Sequence, residues 1–196
     1  MLALRYLAIS LALVAGVAAL GAEASAKAAQ TTGQPEEFSA IAIMNNNLGS
    51  ASDRVIMRVT RWSTEAERKL IAAALQKGQD TLIETLRDQR PVGTIRTPDS
   101  LGYDLRYAHQ EPGEDGGRRV VIATDRPISF WEARNQPRTV DYPFTVVQMQ
   151  IDRNREGKGT LSLFTKVMAR GNVIILEDFA TAPVMLNRIE ARPIRN

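Results

Sequence analysis

Val147-Gln148-Met149-Gln150-Ile151-Asp152 alternates apolar with polar side chains, the period of two that marks a strand with one face buried and one face wet. Leu161, Leu163 and Val167 give a second apolar face downstream, and Val173 to Leu176 and Val184 to Ile189 complete a run of four strands. Gly157-Lys158-Gly159 and Gly171-Asn172 offer the backbone freedom that hairpin turns need, so this C-terminal half is expected to be an antiparallel meander.

Working back from that run, Asp125 to Pro143 has no clean period and reads as a long ordered loop, with the turn-rich Glu111 to Gly117 further upstream. Strands are expected at Val92 to Arg96, at Tyr103-Leu105-Tyr107 and at Arg118 to Thr124. Before them the period changes. Thr64-x-x-Glu67 fits a capping box, and Ile71, Leu75, Leu82 and Leu86 share a helical face across Gly78, which predicts two helical segments between residues 64 and 89, broken at Lys77-Gly78. Pro91 stops them, because it cannot continue the hydrogen-bond ladder. Phe38 to Met44 and Arg54 to Trp62 read as two further strands joined by Asn45 to Ser50, with Trp62 a hydrophobic contact at the helix start. Strands, helices, then more strands do not alternate as βαβ units do. The fold class is therefore α+β: a curved antiparallel β-sheet, with a partly closed barrel as its variant, and one kinked helix or helix pair packed on it.

The first residues carry one charge at Arg5, an apolar run from Tyr6 to Leu20 and the small-x-small sequence Ala24-Ser25-Ala26. That is the pattern of a secretory signal peptide, too short for a spanning helix. The expected organisation is a signal at 1–26, a disordered lead-in at 27–37 and one domain from 38 to 196, exported to the periplasm or beyond, with no membrane span after cleavage. The chain has no cysteine, which excludes disulfides, thiolate metal sites and a lipid-modified cysteine. A net charge of +3, with arginines interleaved among acids, lacks the concentrated basic stripe of a nucleic-acid binder.

The sole histidine, His109, has no second histidine or carboxylate cluster at ligand spacing, so it reads as structural or as a surface residue, and no metal or other cofactor is expected. Phosphate-cradling glycine loops, nucleophile elbows and zinc-protease motifs are missing. A hairpin pair of Arg96 with Asp104 is expected to be structural. The segment that stands out is Thr124 to Phe144, where aromatics and paired charges meet in one loop. Trp131, Glu132, Arg134, Arg138 and Arg126 are the candidate ligand-binding residues, because loops on a rigid sheet carry function and arginine grips carboxylates bidentately. The competing reading closes one end of the sheet with Phe130, Trp131 and Tyr142, while Arg126, Arg134 and Arg138 pair with Asp125, Glu132 and Asp141. Both stay open on the sequence alone.

Arg61-Trp62-Ser63-Thr64, Lys77-Gly78-Gln79-Asp80, Val92 to Pro98, Ala123 to Ile128, Phe130-Trp131-Glu132-Ala133-Arg134 and Asp141-Tyr142-Pro143-Phe144 together resemble a family of exported bacterial proteins of unknown function. The resemblance runs from about Trp62 to Asp152 and implies bacterial export and a single domain, without an activity, cofactor or ligand. The expected function is a non-enzymatic binding or interaction domain of the bacterial envelope, its partner a small molecule or an envelope protein. The alternative is a carboxylate-dependent hydrolase using Glu132, Asp125 and Asp141 with Arg134 as anion anchor, and a third is a purely structural envelope component.

Overall fold

Phe38, Ala40 and Ala42 project to one side of the second strand because alternate residues share a face, and all three are buried. Opposite them Val55 and Met57 are inaccessible to solvent, paired as Ala40 with Val55 and Phe38 with Met57. This long hairpin, β2 (Glu36–Asn46) and β3 (Gly49–Val59), seeds the inner core. The computed structural model describes residues 3–7, 33–46, 49–113, 116–126, 128, 143–170, 173–178 and 182–194. Around the hairpin stand β1 (Ala3–Leu7), helices α1 (Glu65–Lys77) and α2 (Gln79–Asp88), and strands β4 (Gly93–Arg96), β5 (Tyr103–Leu105), β6 (Tyr107–Pro112) and β7 (Arg118–Ala123). The C-terminal strands are β8 (Phe144–Ile151), β9 (Glu156–Arg170), β10 (Val173–Asp178) and β11 (Val184–Pro193).

Every described strand pair is antiparallel, and the path runs β5-β4-β3-β2-β11-β9-β8-β7-β6, with β10 between β9 and β1 off the path. The chain is thus α+β with a curved antiparallel sheet, and the sheet does not close into a barrel. Its two end strands, β5 and β6, are nonetheless separated in sequence by Arg106 alone. The chain switches partner there: the Leu105 carbonyl accepts from Val92 N at 2.8 Å, while Arg106 N donates to the Ala123 carbonyl at 2.9 Å. Ser63 covers the free edge of β6, donating its N–H to the Ala108 carbonyl at 2.9 Å and accepting Ala108 N on its hydroxyl at 3.1 Å. At Ala108 the backbone groups of this edge are thus satisfied within the chain.

Side chains fill the hollow of the curled sheet, with Phe38, Met57, Ile95, Leu105, Ile122, Leu161, Leu186 and Ile189 all fully buried. Trp62 belongs to this core, edge-on to Phe38 with ring centroids 6.4 Å apart and its Nε1–H given to the Gln34 carbonyl at 3.0 Å. The helices cover the opposite, outer face: Ala74, Leu75, Leu82 and Leu86 pack on Phe144, Val146 and Leu176. Buried on both faces, the start of β8 loses the clean alternation that Val147 to Asp152 displays in sequence. The Thr64–Glu67 capping box is formed, and Gly78, at φ 120°, ends one helix and begins the next.

Four local expectations are corrected. Gly157 and Gly159 are not turn residues but lie inside β9, where an added Cβ at Gly157 meets the Gln150 carbonyl oxygen of β8; the turn itself is Asp152 to Glu156. The C-terminal run is not a simple meander, because β11 inserts between β2 and the first part of β9, leaving β10 on the remainder. The strand read at Tyr103-Leu105-Tyr107 is split at Arg106, with β5 ending at Leu105 and Tyr107 opening β6, which runs to Pro112; β2 begins at Glu36 rather than Phe38. Asp104 faces Thr94 in the ladder and pairs with Arg106 at 3.4 Å, not with Arg96.

Candidate functional site

The loop that sequence reasoning singled out begins from a closely bonded stem. Thr145 N donates to Thr124 Oγ1 at 3.2 Å, Ile128 N to Thr145 Oγ1 at 2.9 Å, and Thr145 Oγ1 to the Leu163 carbonyl at 2.8 Å. Asp125 lies buried beside this ladder, its Oδ2 3.7 Å from Arg106 Nε and its Oδ1 3.5 Å from Arg126 Nε. Arg106 is fixed in turn by donating Nη1 to the Gln89 carbonyl at 2.9 Å. The two guanidiniums beside this buried carboxylate pin the loop base by charge attraction. Arg126 itself is exposed, and among the described residues its guanidinium is paired with Asp125 alone. Trp131, Glu132, Arg134 and Arg138 lie outside the described residues, as do Glu132 and Asp141 of the hydrolase triad of acids.

At the other end of β7, β8 and β9 is a cleft of about 750 Å³. Its charged walls are Arg118, Arg119, Asp152, Glu156, Lys158, Arg188 and Glu190. Three strand features converge there. The β8–β9 turn is tied by Asp152, whose Oδ1 accepts Asn154 N at 2.7 Å and Glu156 N at 3.0 Å. Arg155 sits in the left-handed region at φ 66°, and its carbonyl accepts Ala191 N at 2.8 Å. On β11 the pairing slips against β9 after Leu186 and against β2 after Asn187, and the bulged residue Arg188 takes φ 50°. Only these two described non-glycine residues have positive φ, and both are at this corner. A side chain in that region is held against about 1 kcal/mol or more of backbone strain, of the kind that concentrates at ligand clamps.

The wall is divided between satisfied and unsatisfied charge. Arg118 grips Glu36 bidentately at 2.6 and 2.9 Å and also donates to Gln110 Oε1 at 2.5 Å, while Arg119 meets Glu111 at 3.0 Å. The side chains of Lys158 and Arg188 make no ion pair or hydrogen bond among the described residues, although both residues line the cleft. Sequence reasoning missed this site because a β-bulge leaves no motif; the visible sign was the charged run Asp152 to Lys158.

His109 takes a structural place on the outer face of β6, its ring 6.4 Å from that of Tyr107. Burial pushes its pKa down to about 4, helped by the positive charge of Arg68, and burial raises the Tyr107 hydroxyl, an effect that Arg68 opposes. Because the folded state prefers neutral His109, it contributes stability that is intact above its ordinary pKa of 6.5 and lost as pH falls toward 4. With its ring half-buried, that loss is expected to be on the order of 1–2 kcal/mol. His109→Gln should flatten the dependence of unfolding midpoint on pH across this window; an unchanged slope would place the acid sensitivity elsewhere.

Comparison with protein-family models, curated proteins and solved structures finds no match. Among the described residues no group of three or more histidines, aspartates or glutamates is placed to hold a metal ion, and no helix is long and apolar enough to cross a membrane.

Proposed function

We propose that this chain is an exported binding or interaction domain of the bacterial envelope, acting without catalysis, and that it meets its ligand at the cleft lined by Arg118, Lys158 and Arg188. Export to the periplasm or beyond rests on the leader at residues 1–26 and on the resemblance to exported bacterial proteins. The observation that carries the binding reading is the pair of cations, Lys158 and Arg188, lining one cleft without a carboxylate partner among the described residues. The hollow of the sheet is filled with side chains, so a ligand must be met at an end of the sheet rather than inside it.

Two cations at fixed positions favour a ligand that carries carboxylate or phosphate groups, whether a small molecule or the side chains of an envelope protein. Glu156 and Asp152 on the same wall select against a uniformly anionic surface. The deciding experiment is native mass spectrometry of the mature protein taken from the cells that make it, alongside the same sample denatured. A bound mass, reduced at least about tenfold in occupancy in a Lys158→Ala/Arg188→Ala variant, is the expected result. Loss of the bound mass instead in a Trp131→Ala/Arg134→Ala variant, with the double cation variant unaffected, would move the site to the loop.

A further inference from the structure

Val173-Ile174-Ile175-Leu176 is a short, strongly strand-forming apolar run, and β10, which carries it, is the strand that stands off the main path of the sheet. One edge pairs with β9, from Val173 against Arg170 to Asp178 against Thr165. The other edge is occupied by β1, from Ala3 against Asp178 to Leu7 against Ile174. With that strand in place Ile175 and Leu176 are 4% and 6% exposed. All of β1 lies within the stretch read as the export signal, so removing residues 1–26 strips this edge of its partner.

We propose that in the processed chain the edge of β10 pairs with the same edge of a second copy, antiparallel and about a two-fold axis. The proposal rests on the export reading above, since a retained leader would keep the edge covered. An open row of N–H and C=O groups beside an apolar strand is a template for strand addition. The seating of β1 shows that an antiparallel strand fits here while β9 keeps its register.

Charge pattern favours the same edge as the occupant. Centred on Ile175, an antiparallel self-pair sets Ile174 opposite Leu176 and Glu177 opposite Val173, so the acidic ends of the two copies never face each other. Arg170, paired with Val173 on β9, falls in the same cross-strand row as the other copy's Glu177. A parallel pair would stack acid on acid, which is unfavourable. An isologous contact of this kind closes on itself and stops at two copies.

The test is the mass of the processed protein in solution, its N-terminus read by mass spectrometry, with and without a peptide of residues 1–10. The expected result is twice the chain mass, amides of 174–178 exchanging at least about tenfold more slowly than in monomer at high dilution, and conversion to monomer when the peptide is added. A monomer at every concentration whose β10 amides exchange freely would overturn the proposal. So would a dimer indifferent to the peptide, which would point instead to the exposed Ile41, Ile43 and Met185 on β2 and β11. A mass that still includes residues 1–26 would overturn the processing on which the proposal stands, and is distinguishable from both.

Discussion

Trp62→Ala is expected to lower the unfolding free energy by about 3–5 kcal/mol, the range for truncating a large aromatic in a packed core. The indole is 3% exposed and lies edge-on to Phe38, so the loss combines burial, ring contact and cavity. Its Nε1–H also holds the Gln34 carbonyl, tying the approach to β2 onto the segment that leads into α1. Trp62→Phe keeps most of the volume and gives up that hydrogen bond; it should cost about 1–2 kcal/mol. Chemical denaturation of both variants checks the order. A Trp62→Ala variant within 1 kcal/mol of the parent, as about that little is expected of a surface aromatic, would mean that Trp62 does not sit in the core.

Glu36→Ala and Arg118→Ala are expected to cost about 2–3 kcal/mol each, below the full range for a deeply buried pair because Arg118 keeps some contact with solvent. Arg118 reaches 82 residues back along the chain to Glu36 and places its guanidinium 5.8 Å from the centre of the Phe38 ring. Removing either partner strands the other's charge beside the core, whereas removing both does not. The double variant should therefore be destabilised by less than the sum of the singles, with a coupling of about 1–2 kcal/mol. Strict additivity in a thermal or denaturant cycle would show that the pair is not coupled.

The parts of this fold that sequence discloses are those governed by local periodicity. Val55, Met57 and Val59 alternate inward as their spacing demands, Thr64 and Glu67 form the cap their types predict, and Gly78 divides the helices. What sequence does not disclose is which strand meets which. The insertion of β11 between β2 and β9, and the change of partner at Arg106, depend on contacts among residues far apart in the chain. Gly157 and Gly159 misled for a related reason. Glycine suits both a turn and a close strand crossing, and only the position of the Gln150 and Gln148 carbonyls decides which.

The same division applies to the site. Asp125 and Arg126 were legible as a charged pair, and the structure joins them at the stem of the loop. The cleft was not legible, since Arg188 owes its position to a register slip rather than to its neighbours in sequence. Exposed, unpaired cations are common on any surface; it is the convergence of Lys158 with a strained Arg188 on one cleft that separates this corner from the rest.

The most direct test of the binding account is amide hydrogen exchange, comparing protein isolated natively from its producing cells with the same protein after denaturation, dialysis and refolding. The account predicts slower exchange in the native isolate at Gly117 to Arg119, Glu156 to Lys158 and Arg188 to Glu190, and no difference along β2 and β3. Protection confined to residues 126–143, or identical exchange in the two samples at saturating native occupancy, would contradict it.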